Sequence, residues 1–142
     1  MPTLRRLTIN DYDEIISLWQ KAGLRSMRLR GRDSRDAFAD QLAAGQVVIG
    51  LEEGGQLIGA VVVTSDTRKG WINRLAVHSD YRRKGYGTRL LAAAEEQVRA
   101  MGLHIFAGLI EGDNDASLAL FARQGYKTGD IVYVSKRDSE DT

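Results

Sequence analysis

The stretch RRKGYGTRLL, residues 82–91, places three consecutive cationic side chains and two glycines where a strong helical pattern begins. Glycine destabilises a helix and neighbouring like charges repel, so this composition is unfavourable for structure alone. A helix N-terminus leaves about four backbone N–H groups without internal partners and carries about half a positive charge. Gly85 and Gly87 remove the Cβ atoms that would keep a ligand away from those groups. The stretch therefore predicts an anion site suited to a pyrophosphate.

Two other phosphate-binding patterns do not match this stretch. The P-loop pattern G-x-x-x-x-G-K-[ST] is absent from the chain. The dinucleotide-binding pattern needs a third glycine, and Gly87 is followed by Thr88-Arg89-Leu90 instead. A solvated basic loop, with glycines that serve only a tight turn, remains the alternative interpretation.

The totals indicate one globular domain over residues 1–142, with 43% hydrophobic and 27% charged residues. The net charge of +1 gives no general attraction to nucleic acid or to a membrane surface, so we expect neither as a partner. The absence of cysteine excludes disulfides, thiolate metal sites and a cysteine nucleophile, and no metal site is predicted. No apolar run has the length of a membrane span and the N-terminus lacks a signal-peptide core, which favours a cytoplasmic protein.

The segments before residue 82 predict strands and two helices. Residues 3–9 favour a first strand, and the next segment has apolar residues at helical spacing, with Asn10 or Asp11 as cap and Gly23 as its end. A second helix is predicted from the cap Ser34 to Gly45. The strands QVVIGLEE and QLIGAVVVTS flank the turn at residues 54–55, and WINRLAV follows as a third strand of the central sheet.

The segments after residue 87 predict two helices and two further strand regions. TRLLAAAEEQVRAMG forms a helix that Gly102 ends, and HIFAGLI reads as a buried strand. Asn114 or Asp115 caps a last helix that ends at Gly125, and YKTGDIVYVSKR supplies a final strand or hairpin. The predicted fold is α/β, a single domain with a mixed central sheet of about six to seven strands and four helices on its faces.

Three elements in the right order resemble the GNAT N-acetyltransferases, which bind acetyl-coenzyme A. The sequence Arg82-x-x-Gly85-x-Gly87 at a helix start is similar to motif A of that family. The segment from Asn114 through LALFARQGY, ending in Gly125-Tyr126, resembles a second family element with one substitution. The order of strands and helices resembles the family fold over essentially the whole chain.

The resemblance implies acetyl-CoA as co-substrate and assigns roles to residues of this chain. The backbone at residues 75–77 would hydrogen-bond the pantetheine arm where two parallel strands part. Backbone amides of residues 83–88 would hold the pyrophosphate, with Arg82 shaping the loop. Asn114 would contact the cofactor or orient it through water. The implied cofactor-binding set is Leu75, Ala76, Val77, Arg82, Arg83, Lys84, Gly85, Tyr86, Gly87, Thr88, Asn114, Ser117 and Phe121.

The implied reaction is acetyl transfer to a primary amine of a small molecule or protein, by direct attack in a ternary complex. Family members commonly use a tyrosine of the last helix as general acid, and the matching position here is Phe121, which has no proton to give. Ser117, four residues earlier on the same helical face, is the substitute candidate. Glu111 is the candidate base, with a water chain to solvent as the alternative, because Asn73 and Arg74 stand where relatives carry a glutamate.

The segment between the first two helices, which lines the acceptor side in the family, is rich in arginine. Arg25, Arg28, Arg30 and Arg32 predict an acceptor with a carboxylate or phosphate, since arginine binds such groups bidentately; a solvated loop is the alternative. The departures from the family pattern leave a second function open, a catalytically impaired acyl-CoA-binding regulatory module. A homodimer is a further expectation, with the final strand as its edge.

Overall fold

A mixed five-stranded sheet forms the centre of the molecule, in the spatial order β1-β2-β3-β4-β5. The computed structural model describes all of residues 1–142. The first four strands pair antiparallel, and β5 runs parallel to β4. The strands are β1 (Thr3–Arg6), β2 (Val47–Glu53), β3 (Gln56–Ser65), β4 (Gly70–Val77) and β5 (Phe106–Ala107).

Four helices accompany the sheet, as the sequence predicts. They are α1 (Tyr12–Lys21), α2 (Arg35–Ala43), α3 (Tyr86–Ala100) and α4 (Asp115–Arg123). None of them combines the length and apolar character that crossing a bilayer requires.

The helix caps follow from local side-chain chemistry. Ser34 Oγ accepts from the Ala37 N–H at 3.2 Å and caps α2, as predicted. The start of α1 differs from the prediction, because Thr8 caps a short 3₁₀ turn over residues 9–11 that leads into the helix. Asp11 stands at the N-cap of α1, but its carboxylate accepts from Thr8 N–H and from Arg5 instead. Two short polar side chains in succession therefore divide one predicted helix start into two turns.

Two hydrophobic clusters lie on the two faces of the sheet, because the central strand β3 is buried on both sides. Residues 57–63 form one continuous buried run, and alternate side chains enter opposite clusters. One cluster packs α1 and α2 on the sheet through Ile15, Trp19 and Phe38. The other packs α3 and α4 on the opposite face, through Leu90, Leu91, Ala94, Val98, Leu120 and Phe121.

Strand β4 carries a bulge that separates it from β5. Its register against β3 shifts between Ala60 and Val62, where two residues of β4 oppose one of β3. Arg74 lies at this point with φ of 51°, a left-handed conformation that is uncommon outside glycine. A bulge bends and twists its strand. Because β4 pairs with β5 only at Gly70 and Trp71, the end of β4 at residues 75–77 has no neighbour on that side.

The prediction of six to seven strands is wrong, because the C-terminal segment forms no strand. HIFAGLI pairs with the sheet only at its residues 106–107, which leaves almost no ladder on which another strand could align. Residues 127–138, here called the C-terminal strap, take no part in any backbone hydrogen bond. The side chains of Ile131, Val132 and Val134 are exposed. The final strand predicted as a dimer edge is therefore absent.

Candidate active site

A cavity of 810 Å³ opens where β4 parts from β5. Its walls come from the end of β4, the turn before α3, the first turns of α4 and the segment that follows α1. Residues of the predicted set that line it are Leu75, Ala76, Val77, Arg82, Arg83, Gly85, Tyr86, Gly87, Thr88, Asn114 and Ser117. The structure thus brings two distant sequence elements, residues 75–88 and 114–117, to one cavity.

The turn at residues 82–88 presents a row of backbone donors. None of the N–H groups of these residues donates to an acceptor in the protein, and the N-cap Gly85 supplies no side-chain cap. Arg83 and Gly85 adopt left-handed conformations, with φ of 64° and 78°. Successive N–H groups in such a turn converge on a concave surface that attracts anions. The start of α3 therefore has the geometry and the free donors that an anion requires.

The two glycines of the turn have different structural reasons. A Cβ at Gly85 would meet no atom within 4 Å, so glycine is favoured at this position by the positive φ and not by lack of space. A Cβ at Gly87 would lie 3.1 Å from Leu120 Cδ2, so Gly87 allows the close approach of α3 and α4. Gly87 thus serves helix packing as well as ligand access.

The three cations before Gly85 are used in three ways. Arg82 donates to the Ala22 carbonyl at 2.8 Å and ties the turn to the end of α1. The ammonium of Lys84 lies 5.5 Å from the centre of the Tyr81 ring, and Lys84 is not part of the cavity wall. Arg83 lines the cavity and forms no ion pair. Arg83 is therefore the cation that remains available to an anionic ligand.

The N–H of Val77 faces the open edge of β4. The N–H of His78 donates to the Ile58 carbonyl at 2.8 Å, so the backbone N–H of this residue is directed toward β3. Because successive residues of an antiparallel strand alternate in direction, the N–H of Val77 points to the other side. No residue of β5 reaches that position. The cavity thus contains a main-chain donor at the splayed end of the strand.

The structure places Phe121 outside this cavity. Its side chain is 6% exposed, belongs to the core cluster and meets the Tyr126 ring edge-on, with centroids 4.9 Å apart. The cavity-facing residues of α4 are instead Ala116, Ser117, Ala119, Leu120 and Arg123. The side chains of Phe121 and Lys84 therefore lie outside the cavity wall, because each points to another neighbour, whereas the backbone N–H of Lys84 remains part of the turn.

The two candidate catalytic residues lie in the cavity wall. Ser117 is half-buried in the first turn of α4, and its N–H donates to Asn114 Oδ1 at 3.2 Å. Asn114 thus acts as the helix cap, with its amide nitrogen free. Glu111 is exposed, lies before α4 and forms no ion pair with Arg25. The pKa of Arg25 is raised mainly by its hydrogen bonds with Asp113, and the negative charge of Glu111 contributes in the same direction.

A second cavity, of 550 Å³, adjoins the first. It is bounded by α1, the segment between α1 and α2, the middle of β3 and β4, the residues after β5 and the C-terminal strap. Ser26 and Glu111 line both cavities, whereas Ser117 lines only the larger one. Glu111 therefore stands where groups held in the two cavities would meet.

A buried ion pair forms one wall of the second cavity. Arg74 donates from both terminal nitrogens to the carboxylate of Asp33, one of them at 3.1 Å, and its guanidinium lies 4.7 Å from the Trp19 ring centre. Asp33 is 5% exposed and also accepts from the Arg28 N–H at 2.7 Å. Asp33 could not be recognised from the sequence, since nothing local distinguishes an aspartate whose partner lies 41 residues away.

The four arginines after α1 are separated by the structure. Arg25 pairs with Asp113 at 2.7 Å, and Arg28 donates to the neighbouring Met27 carbonyl. Arg30 is exposed, with no hydrogen bond or ion pair. Arg32 alone lines the second cavity. Of the four arginines predicted to bind an anionic acceptor, only Arg32 therefore lies at the second cavity.

Comparison with known proteins identifies relatives of this chain. The sequence profile of the acetyltransferase (GNAT) family matches residues 12–126. An acetyltransferase of Yersinia pestis is 27% identical over 128 residues, which cover 90% of this chain and 89% of that protein.

Two solved structures share the fold. The PaiA N-acetyltransferase of Thermoplasma acidophilum, solved with coenzyme A, superposes with a TM-score of 0.82 at 19% identity and covers 93% of each chain. A ribosomal-protein-alanine N-acetyltransferase of Brucella melitensis gives 0.74 at 16% identity, over 96% of this chain and 100% of that one.

Proposed function

The chain belongs to the acetyltransferase (GNAT) family, and from that membership we propose that it transfers the acetyl group of acetyl-CoA to a primary amine. The acceptor is a small molecule or a protein, and the amine attacks directly in a ternary complex. One observation carries the proposal: the 810 Å³ cavity joins the unpaired donors of residues 82–88 to the open edge of β4 and meets a second cavity at Glu111.

The larger cavity fits the chemistry of coenzyme A. The diphosphate would accept hydrogen bonds from the N–H groups of residues 83–88, at the positive end of the α3 dipole and beside Arg83. The pantetheine amides would pair with the free backbone groups of residues 75–77, as an added strand would. These contacts point the thioester toward the splayed end of β4.

The reaction needs a free amine, a stabilised oxyanion and a leaving thiolate. An alkylammonium has a pKa of about 10, so the acceptor must lose a proton before it attacks. Glu111, at the junction of the cavities, would receive that proton directly or through water. The attacking nitrogen forms the C–N bond while the carbonyl oxygen takes the negative charge, near the Val77 N–H. The C–S bond then breaks, and the Ser117 hydroxyl, which lines the cavity, would donate a proton to the leaving sulfur.

Two measurements test the proposal. Calorimetry at low ionic strength should show binding of both CoA and acetyl-CoA to the purified protein. Release of CoA should follow when acetyl-CoA is mixed with a panel of amines. Absence of any CoA affinity would overturn the proposal, since the whole arrangement depends on the turn before α3.

The alternative, an acyl-CoA-binding regulatory module, keeps both of its supports. Phe121 at the general-acid position has no proton to give, and its ring packs in the core instead of facing the cavity. The second support is the absence of a strand carboxylate, since Asn73 and Arg74 stand where relatives carry a glutamate. Tight cofactor binding without turnover across a broad amine panel would favour the module.

A further inference from the structure

We propose that the 550 Å³ cavity is the acceptor site and that it selects amines carrying a carboxylate or phosphate, held by Arg32 and by Arg137 of the C-terminal strap. This inference rests on the proposed function, because it takes the larger cavity as the acetyl-CoA site. It names the chemical class of the acceptor and a specificity-determining residue, Arg137, outside the motifs that carry the family resemblance.

Position supports the first part of the inference. The second cavity meets the larger one at Ser26 and Glu111, so a molecule bound in it can present an amine to the thioester. Its far walls come from α2, β3 and the C-terminal strap. An acceptor in this cavity is therefore held with one end at Glu111 and the other among the strap residues.

The charges of the cavity wall support the second part. Three guanidinium groups line the cavity, those of Arg32, Arg74 and Arg137, against two carboxylates, those of Asp33 and Glu111. Arg74 donates two hydrogen bonds to the carboxylate of Asp33, whereas Arg32 Nε lies 3.9 Å from that carboxylate. Arg137 has no ion pair. The wall thus carries one more positive than negative charge, and Arg137 has no protein counter-charge in contact with it.

The surroundings of Arg32 show the same excess. Its Nη2 donates to the Ser26 carbonyl at 2.7 Å, which fixes the guanidinium beside the junction of the cavities. Burial lowers the pKa of Arg32, and the nearby charges of Arg74 and Arg137 lower it further. A bound anion relieves this repulsion, and two arginines can hold a carboxylate or phosphate with charge-assisted hydrogen bonds.

The C-terminal strap lies along this cavity. Tyr133, Ser135 and Arg137 line it, whereas the alternate residues Val132 and Val134 do not, and all five are exposed to solvent. Period-two alternation is that of an extended chain lying on a surface. Because no backbone hydrogen bond fixes residues 127–138, the strap can adjust to the acceptor at little cost.

The experiment compares matched amines as acceptors. ω-Amino carboxylates from β-alanine to 6-aminohexanoate, O-phosphoethanolamine, n-alkylamines of equal length and 1,3-diaminopropane are assayed for kcat/KM by CoA release. We expect an anionic amine to exceed its neutral counterpart by about tenfold or more. Comparison of the ω-amino carboxylates with O-phosphoethanolamine shows whether the site prefers a carboxylate or a phosphate. Equal or better use of neutral or cationic amines would overturn the inference and leave the proposed function intact.

Variants locate the preference. Arg137→Ala and Arg32→Ala should each remove most of it, while Arg137→Lys retains a part. Lys136→Ala is the matched control, since Lys136 is a cation of the same strap that does not line the cavity. A preference that survives both arginine substitutions would also overturn the inference.

A binding readout separates the inference from catalysis. Trp71→Phe leaves Trp19, a residue of the cavity wall, as the sole tryptophan. Its fluorescence in the CoA complex should change saturably with the anionic amine, and Arg137→Ala should weaken that binding about tenfold. Saturable binding without turnover would overturn the proposed function and keep the site; no binding of any anionic amine would overturn the site.

Discussion

Arg25 donates to both carboxylate oxygens of Asp113, at 2.7 and 2.9 Å, and so joins the segment after α1 to the loop before α4. Both residues line the larger cavity, so the pair ties two of its walls together. The hydrogen bonds from Arg25 hold the pKa of Asp113 below its usual value. The pair is therefore formed at neutral pH and is lost only as the pH falls through that lowered pKa.

Breaking this pair should weaken CoA binding only slightly. The side chains are 70% and 68% exposed, and exposed pairs contribute little. We expect Arg25→Ala to raise the Kd for CoA by less than about fivefold, with a smaller effect in high salt. Arg30→Ala, which removes an unpaired arginine of the same segment, is the control in calorimetry. An equal effect in both variants would show that general charge, and not the pair, is responsible.

Removing the charge of Glu111 should slow turnover without loss of CoA affinity. A general base contributes about 10²–10⁴-fold, so Glu111→Gln should lower kcat by about 10²-fold at neutral pH. The variant's rate should rise with pH until the amine itself deprotonates. Ser117→Ala is the comparison and should affect kcat less. An unchanged kcat in Glu111→Gln would leave proton removal to solvent alone.

Asp33→Asn should destabilise the fold strongly. It leaves the guanidinium of Arg74, 19% exposed, without its partner, and breaking a buried pair costs about 3 kcal/mol or more. Urea unfolding measures the free energy. Glu96→Gln, which breaks the exposed pair between Glu96 and Arg99, should cost well under about 1 kcal/mol. If the two losses were alike, the buried pair would not be holding the segment before α2 on β4.

Gly85→Ala should lower both stability and CoA affinity. Alanine at φ of 78° costs about 1 kcal/mol, although the space around it is open. Gly85→Asn should lose less, because asparagine tolerates the left-handed conformation. Gly112→Ala, with no positive φ and no neighbour within 4 Å, is the control in thermal unfolding. A wild-type stability for Gly85→Ala would contradict the conformational explanation.

Tyr126 should make the protein less stable in alkali. Burial and a 2.7 Å hydrogen bond to Glu95 raise its pKa well above the ordinary value of about 10. Above that pH the unfolded chain loses the proton while the folded chain keeps it, so the free energy of unfolding falls as pH rises. Tyr126→Phe should reduce this fall between pH ~9 and ~11 in urea titrations. Tyr133→Phe, at an exposed tyrosine, should leave the slope unchanged.

Local chemistry explains what could be predicted from sequence. Ser34 and Asn114 cap their helices through hydrogen bonds that span three residues, and the turn before Gly85 needs only its own backbone. The cavity residues at 75–77 followed from the family resemblance, and the structure places them at the cavity. Such features depend on residues that are neighbours in the chain, so the local sequence pattern can predict them.

Long-range relationships explain what could not be predicted. The sequence of residues 126–137 predicts a final strand or hairpin, and these residues form none. A strand needs a partner edge as well as a suitable sequence, and β5 offers only two residues. The side of α4 that faces the cavity differs from the expected one by a single position, which exchanges Phe121 for Leu120. Asp33 and Arg74 meet only because α2 and the bulge of β4 fold together.

The C-terminal strap has an evolutionary consequence. Because it contributes no main-chain bond to the sheet, we expect substitutions in it to affect folding little, so its cavity-lining residues can change together with the acceptor. The turn before α3 has no such freedom, since its conformation depends on the positive φ of Gly85. Descendants of this chain can therefore diversify in what they acetylate while inheriting one unaltered way of holding the donor.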